Sequence, residues 1–379
     1  MRTPPVDPRR DATLIVSGLM QGRWTLTPVT AALLAVNLAV FVAMLSQGAG
    51  LWHAPNHVQL AWGANFGPAT GDGEWWRLGT AMFVHFGIVH LAVNMWALWD
   101  SCRIVERLYG HVRFLAIYAG GGMAGNLFSL LAHGDRAVSG GASGAIFAAY
   151  GALLVLLWRE RRQVDPVDFR WLFGGAAAFA TATIAMGLLI PGIDNAAHLG
   201  GLVCGALVGR ALARPLSAQS PAPGVGRWAA FAAFLGAIIA LGAALPAPAY
   251  RWHDEQKART EIREFLADDR RIVERWRRIL ENRDAEAISF EDLAARIESG
   301  VASEYRDSFE QLSALNLDPA APSAKTLELL KRYARMRGEE SHELAEALLQ
   351  SDPQRLRDAL EALRRAPYGA QGEAPAPSP

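Results

Sequence analysis

The sequence predicts an all-α polytopic membrane protein that ends in a charged, soluble helical region. Three observations predict it: a series of long apolar runs, an abrupt change in charge density near residue 250, and glycine at helical spacing within the runs. A helix needs roughly 20 apolar residues to cross the hydrocarbon core. Runs of about that length fall at 28–48, 82–102, 113–133, 143–158, 171–190, 195–213 and 228–247, with a soft start to the second because 78–86 reads equally well as loop. The net charge of zero hides a division: of the 37 acidic residues, 11 precede residue 251 and 26 follow it, while the 37 Lys and Arg divide as 16 and 21. Stretches such as "YAGGGMAGN" (118–126) and "HLGGLVCGALVG" (198–209) allow close helix approach, so a compact bundle is expected rather than separate anchors.

Taken in order, residues 1–27 form a polar, Pro-rich tail with no apolar segment of the kind a cleavable signal needs. Residues 28–213 hold six spans, 214–227 a linker and 228–247 a seventh span. Residues 251–366 read as a helical domain, and the Ala-, Pro- and Gly-rich end, 367–379, as a disordered tail. Within the domain, 255–280 and "TLELLKRYARM" (326–336) carry apolar residues at three-to-four spacing. "SFED" (289–292) resembles a capping box, and Ser351 or Asp352 would cap a helix opening at Pro353.

Orientation follows from the arginines. With the N-terminus in the cytoplasm, the inner segments carry Arg2, Arg9, Arg10, Arg23, Arg103, Arg107, Arg113, Arg159, Arg161, Arg162, Arg170, Arg210, Arg214 and Arg227, against only Arg77 and Arg136 outside. Seven crossings then put the C-terminal domain outside the cytoplasm.

Some classes of function are excluded early. No basic stripe suggests nucleic-acid binding. Cys102 and Cys204, both in or beside apolar runs, give neither a disulfide framework nor a CxxC metal site. His85 and His90 are five apart, hence on different helix faces, and no HExxH occurs, so neither a metal nor another cofactor is expected.

Polar groups within spans are costly and mark function by default. Four stand out: His90, Asn94, Ser143 and His198. The run opening at Ser143 would rise about 24 Å, less than the roughly 30 Å core. With Arg159 pinned at the inner surface, Ser143 should therefore sit below the outer one, at a helix start rich in free N–H groups. Gly140, Gly141 and Gly144 let backbone come close there. His198 opens "HLGGLVCG", whose Gly201 and Gly205 lie on one face and would press this helix against a small-residue neighbour. A serine and a neutral histidine suffice for acyl transfer, and His90 and Asn94, one turn apart, could both donate to an oxyanion. Taken singly, Ser143 reads equally as a helix cap and His198 as a packed histidine.

Together these features resemble the rhomboid family of intramembrane serine proteases over about residues 30–213. "EWWRLGTAMFVHFGIVHLAVNMWAL" (74–98) resembles the family's Trp-Arg loop followed by H-x-x-x-x-H-x-x-x-N. "ERLYGHVRFLAIY" (106–118), "GASG" (141–144) and "AHLGGLVCG" (197–205) resemble its further motifs, in order. The resemblance implies a six-helix bundle with an outward water-filled cavity and Ser143 as nucleophile with His198 as its base. It further implies an oxyanion hole of His90, Asn94 and the Ser143 N–H, and a scaffold role for Trp76, Arg77, His85 and Glu106. The family often has Tyr where Phe147 stands, packed on the histidine. Asp194, four before His198, reads as a loop residue or helix cap, leaving a dyad. The implied substrates are transmembrane segments of single-span proteins met within membrane lipid. The alternative is a non-catalytic relative that binds membrane clients for quality control. The C-terminal domain, which shows no catalytic constellation, would bind substrate or a protein partner.

Overall fold

The computed structural model describes residues 26–214, 216, 224–286 and 288–365. The expectations for the N-terminal tail up to residue 25 and for the tail at 367–379 lie outside the described residues. The chain divides into two compact units, Met1–Pro248 and Ala249–Pro379.

The first unit opens with α1 (Pro28–Ser46), where Pro28 supplies a preset φ at the first turn. Its leading N–H groups have no intrahelical acceptor. The Glu106 carboxylate supplies one from 76 residues away, accepting from Val29 N (3.1 Å), Thr30 N (2.8 Å) and Thr30 Oγ1 (2.6 Å). Two short helices follow, α2 (Asn56–Ala61) and α3 (Gly67–Gly71), in the segment between the first two spans.

The second span differs from the expected 82–102. A first segment, α4 (Arg77–Thr80) with a 3₁₀ turn at Ala81–Phe83, breaks and bends by 95° into Ile88–Tyr109. That longer segment comprises α5 (Ile88–Ala97), a π turn (Leu98–Cys102) and α6 (Arg103–Tyr109). The break is made by contacts distant in sequence. Ala54 N–H donates to Phe86 O (2.9 Å) and Ile88 N–H to Leu51 O (2.8 Å), so residues 86–88 pair with the preceding loop instead of continuing a helix.

Then come α7 (His111–His133), α8 (Ser143–Glu160), α9 (Pro166–Leu189), α10 (Asn195–Leu212) and α11 (Val225–Ala243). Five of these helices, α1, α7, α8, α9 and α11, are long and apolar enough to cross a membrane, and the bent pair adds a sixth. Helix α10, which carries His198 and Arg210, packs against both α7 and α8. The architecture is that of an all-α multi-pass integral membrane protein. In α9 only Leu172, Ala176 and Ala180 are buried, and in α11 only Ala230, which leaves broad apolar faces for lipid.

Helices α8 and α10 run parallel and in register. A Cβ built on Gly201 would lie 2.1 Å from Gly144 O, one on Gly205 2.2 Å from Ala148 O, and one on Gly209 2.6 Å from Ala152 Cα. Each four-residue step on one helix is matched by a four-residue step on the other, and only glycine permits such contact.

In the second unit, α12 (Trp252–Glu286), α13 (Phe290–Ile297), a π turn (Glu298–Ala302), α14 (Ser303–Ser313), α15 (Ala324–Gln350) and α16 (Pro353–Arg365) form a helical domain. Its core includes Ile272, Ile297, Tyr305, Leu327 and Leu330. The buried Asp269 accepts from Tyr305 Oη (2.8 Å) and Tyr333 Oη (2.9 Å), which joins three helices at one carboxylate. Ser289 caps α13 by accepting from Asp292 N (3.1 Å); the Asp292 carboxylate accepts from the Ser289 hydroxyl, so the reciprocal half of a capping box is replaced. Asp352 caps α16 through Gln354 N (2.8 Å) and Arg355 N (3.2 Å), while Ser351 ends α15 at φ 53°.

Candidate active site

Ser143 is the first residue of α8 and half-buried. The N–H of Ile146 is already bonded to Ala142 O (2.9 Å), so the unbonded N–H groups of this helix start are those at Ser143 itself and just after it. The loop that delivers Ser143 is fixed on both sides. Ser139 exchanges two backbone hydrogen bonds with Asn65, each 2.8 Å, and Gly141 N–H donates to Ala81 O (2.8 Å).

His198 lies in the first turn of α10 and is 4% exposed. Its imidazole stacks on the Phe147 ring with centroids 4.2 Å apart and planes 1° from parallel. Phe147 is four residues after Ser143 and shares its face of α8. Gly144 and Gly201 are in backbone contact beside them. The register of the two helices thus brings the hydroxyl and the imidazole to the same end of one helix–helix seam. The buried Nδ1 of His198 has no hydrogen-bond partner. Asp194 is occupied elsewhere: it caps α10 by accepting from Ala197 N (2.9 Å) and takes hydroxyl hydrogens from Ser129 and Ser139 (2.5 Å each).

His90 approaches from α5. Its Nδ1 accepts from Phe86 N–H (3.5 Å), which leaves Nε2 as the N–H donor. That Nε2 lies 2.9 Å from where a Cβ on Gly141 would stand, and Gly141 has φ +119°. Glycine is therefore required at 141 both for the turn and for the room His90 occupies. Asn94, one turn further and 5% exposed, donates one amide hydrogen to His90 O (2.8 Å) and keeps a second. His85 is fully buried, with its ring 5.1 Å from that of His90 and Nδ1 3.4 Å from Phe83 O.

The remaining sequence-singled residues sit apart from this seam. Arg77 is 3% exposed and holds Leu60 O (2.7 Å), Ala64 O (3.0 Å) and Glu74 (2.5 Å), with Trp76 against its guanidinium. Glu106 binds the start of α1 and His111 Nδ1 (2.6 Å). Ser129 and Ser139 carried no signal in sequence, because their shared partner lies 65 and 55 residues away. Among the described residues no group of three or more His, Cys, Asp or Glu could hold a metal ion.

The comparisons with known proteins fall on the same region. The model of the Rhomboid domain matches residues 72–215, from just before α4 to the end of α10. Rhomboid protease GluP of Bacillus subtilis is 38% identical over 156 residues, 41% of this chain and 30% of that protein. Rhomboid protease AarA of Providencia stuartii is 31% identical over 199 residues, 47% of this chain and 70% of that one. YdcA of Bacillus subtilis, also named for the rhomboid family, is 33% identical over 177 residues, 45% of this chain and 86% of its own. The chain thus matches less than a third of GluP but most of AarA and YdcA. With identity at this level across most of two relatives, and with the matched segment containing the whole seam from His85 to Gly205, the chain belongs to the rhomboid family.

Proposed function

We propose that this protein is an intramembrane serine endopeptidase in which Ser143 and His198 act as a dyad. The observation that carries the proposal is the stack of Phe147 on His198, with Ser143 on the same face of α8. In the reaction, His198 removes the hydroxyl proton as Ser143 Oγ attacks the peptide carbonyl carbon. The C–N bond then breaks as the imidazolium returns the proton to the leaving amine. Water repeats the sequence on the acyl ester and frees Ser143. The oxyanion is stabilised by the Ser143 N–H, His90 Nε2–H and the second Asn94 amide hydrogen, all held by groups fixed in advance.

The substrates are transmembrane segments of single-span proteins, cleaved where small or helix-breaking residues let the backbone unwind. Water reaches the bond from an outward-facing cavity above Ser143. The protein resides in a bacterial inner membrane with its N-terminus in the cytoplasm, and its C-terminal helical domain lies outside and binds substrate or a protein partner. A reporter fused after residue 379 that is active only in the cytoplasm would overturn that orientation.

The test of the activity is cleavage of a model transmembrane substrate by the detergent-purified protein beside Ser143→Ala and His198→Ala. Loss of cleavage in both supports the dyad; cleavage that survives either change ends it. A wild type that captures the substrate without cutting it would favour a client-binding role.

A further inference from the structure

Asp194 holds four groups at once. Its Oδ1 accepts from Ala197 N (2.9 Å) and lies 3.3 Å from His133 Nε2, while its Oδ2 accepts from Ser129 Oγ and Ser139 Oγ, each at 2.5 Å. The carboxylate is only 18% exposed. Ser129 and His133 belong to α7, Ala197 to α10, and Ser139 to the loop that leads into α8. One side chain therefore ties three elements of the unit together.

The placement of these ties matters more than their number. Ser139 precedes Ser143 by four residues and Asp194 precedes His198 by four, with His198 N–H bonded to Asp194 O (3.1 Å). Ser139 is itself braced by its two backbone hydrogen bonds to Asn65, and Gly141 by Ala81 O, so the Asp194 bond ties the start of α10 to a segment that is already fixed ahead of Ser143. The Ser139–Asp194 hydrogen bond is thus a cross-strut joining the two chain segments one step ahead of the two reactive side chains.

We propose that Asp194 is a positioning residue which, through Ser139, sets the separation between Ser143 and His198. The proposal rests on the dyad reading above and deepens it. Asp194 does not act on the imidazole as the third member of a triad, since both its oxygens are occupied and His198 Nδ1 has no hydrogen-bond partner. A carboxylate suits the role because two hydroxyls and a backbone N–H can donate to it together. An amide keeps the helix cap through its single oxygen but cannot also accept from both serines. A misplacement of about 1 Å at a reacting pair can lower the rate by roughly 100-fold.

The experiment uses the full-length protein in detergent, comparing wild type with Asp194→Asn, Ser139→Ala and Ser139→Thr. It measures kcat and KM on a model transmembrane substrate, and the rate at which a fluorophosphonate labels Ser143. For Asp194→Asn and Ser139→Ala, kcat and the labelling rate are expected to fall about 10- to 100-fold with KM within about 2-fold, and Ser139→Thr to recover most of the rate. Labelling of Ser139→Ala at the wild-type rate, a change confined to KM, or a Ser139→Thr variant no better than Ser139→Ala would each overturn the proposal. If Asp194→Asn does not fold, the two Ser139 variants decide the matter alone. Activity that persists in Ser143→Ala would instead sink the dyad reading itself, whatever the Ser139 variants do.

Discussion

The Phe147 ring lies parallel to the His198 imidazole, 4.2 Å away, and the two side chains come from helices whose glycines are in backbone contact. The stack restricts the rotation of the imidazole without offering it a hydrogen bond. Aromatic pairs of this kind contribute about 0.5–1.5 kcal/mol beyond burial. Phe147→Ala is expected to lower kcat about 3- to 10-fold, as the imidazole samples unproductive orientations. Phe147→Tyr keeps the ring and is expected to stay within about 2-fold of the wild type. Steady-state cleavage of a model substrate reads both.

Gly201→Ala tests the seam itself. The added methyl would stand 2.1 Å from Gly144 O, a backbone atom that cannot turn aside. The helices must separate, at a cost of about 1–3 kcal/mol, and the proposed dyad would loosen with them. The expected result is a lower thermal midpoint together with lost cleavage. Gly174→Ala on α9, where nothing lies within 4 Å of the new methyl, is the matched control. It should be neutral, or stabilising by about 0.5–1 kcal/mol, because alanine favours helix.

Arg77→Lys should weaken the loop between α1 and α5. The guanidinium reaches two carbonyls and Glu74 together, and a lysine ammonium cannot match that fork. Leaving a buried carbonyl without its donor costs about 1–3 kcal/mol. A fall in the thermal midpoint of the detergent-solubilised protein, with KM and kcat little changed at low temperature, is the expected outcome.

Acid should loosen the C-terminal domain at a definable place. Burial works against ionising Glu298, but hydrogen bonds from His342 Nδ1 (2.8 Å) and Arg306 (2.5 Å), and their charges, hold its carboxyl below the usual range. A lowered folded value means a stabilising contribution that is present above the unfolded pKa, near the ordinary value of 4.5, and lost as pH falls through the folded one. Amide protection factors in α13 to α15 of the full chain, corrected for the intrinsic pH dependence of exchange, should therefore fall below about pH 4.5. Glu298→Gln should flatten that dependence; an unchanged pH profile in Glu298→Gln would contradict it.

Much of this was legible in the sequence, for physical reasons that also explain the remainder. Long apolar runs follow from the thickness of the bilayer, so α1, α7, α8, α9 and α11 could be read directly. The second span was read only roughly, at 82–102 with a soft start over 78–86, because hydropathy measures composition and the break near Gly87 is made by hydrogen bonds to Leu51 and Ala54, more than thirty residues earlier. Helix α15 runs to Gln350, well past the 326–336 segment that periodicity marks, because its later turns mix polar helix formers with Leu344, Ala345 and Leu348 at the core. Helix α14 was not singled out, although Tyr305, Phe309 and Leu312 recur on one face at helical spacing and pack in the domain core. In the candidate site, Ser143 and His198 stood out as polar residues among apolar neighbours. Ser129 and Ser139 did not, since a hydroxyl at a helix end or in a loop is ordinary until its distant carboxylate is known.

The central claim is that the Ser143 hydroxyl is made nucleophilic by His198. Intact-mass analysis of the full-length protein after exposure to a fluorophosphonate tests it most directly, with Ser143→Ala and His198→Ala treated in parallel. The account predicts one adduct on the wild type, located at Ser143, and none on either variant in the same time. An adduct on Ser143→Ala, or labelling of His198→Ala at the wild-type rate, would contradict it.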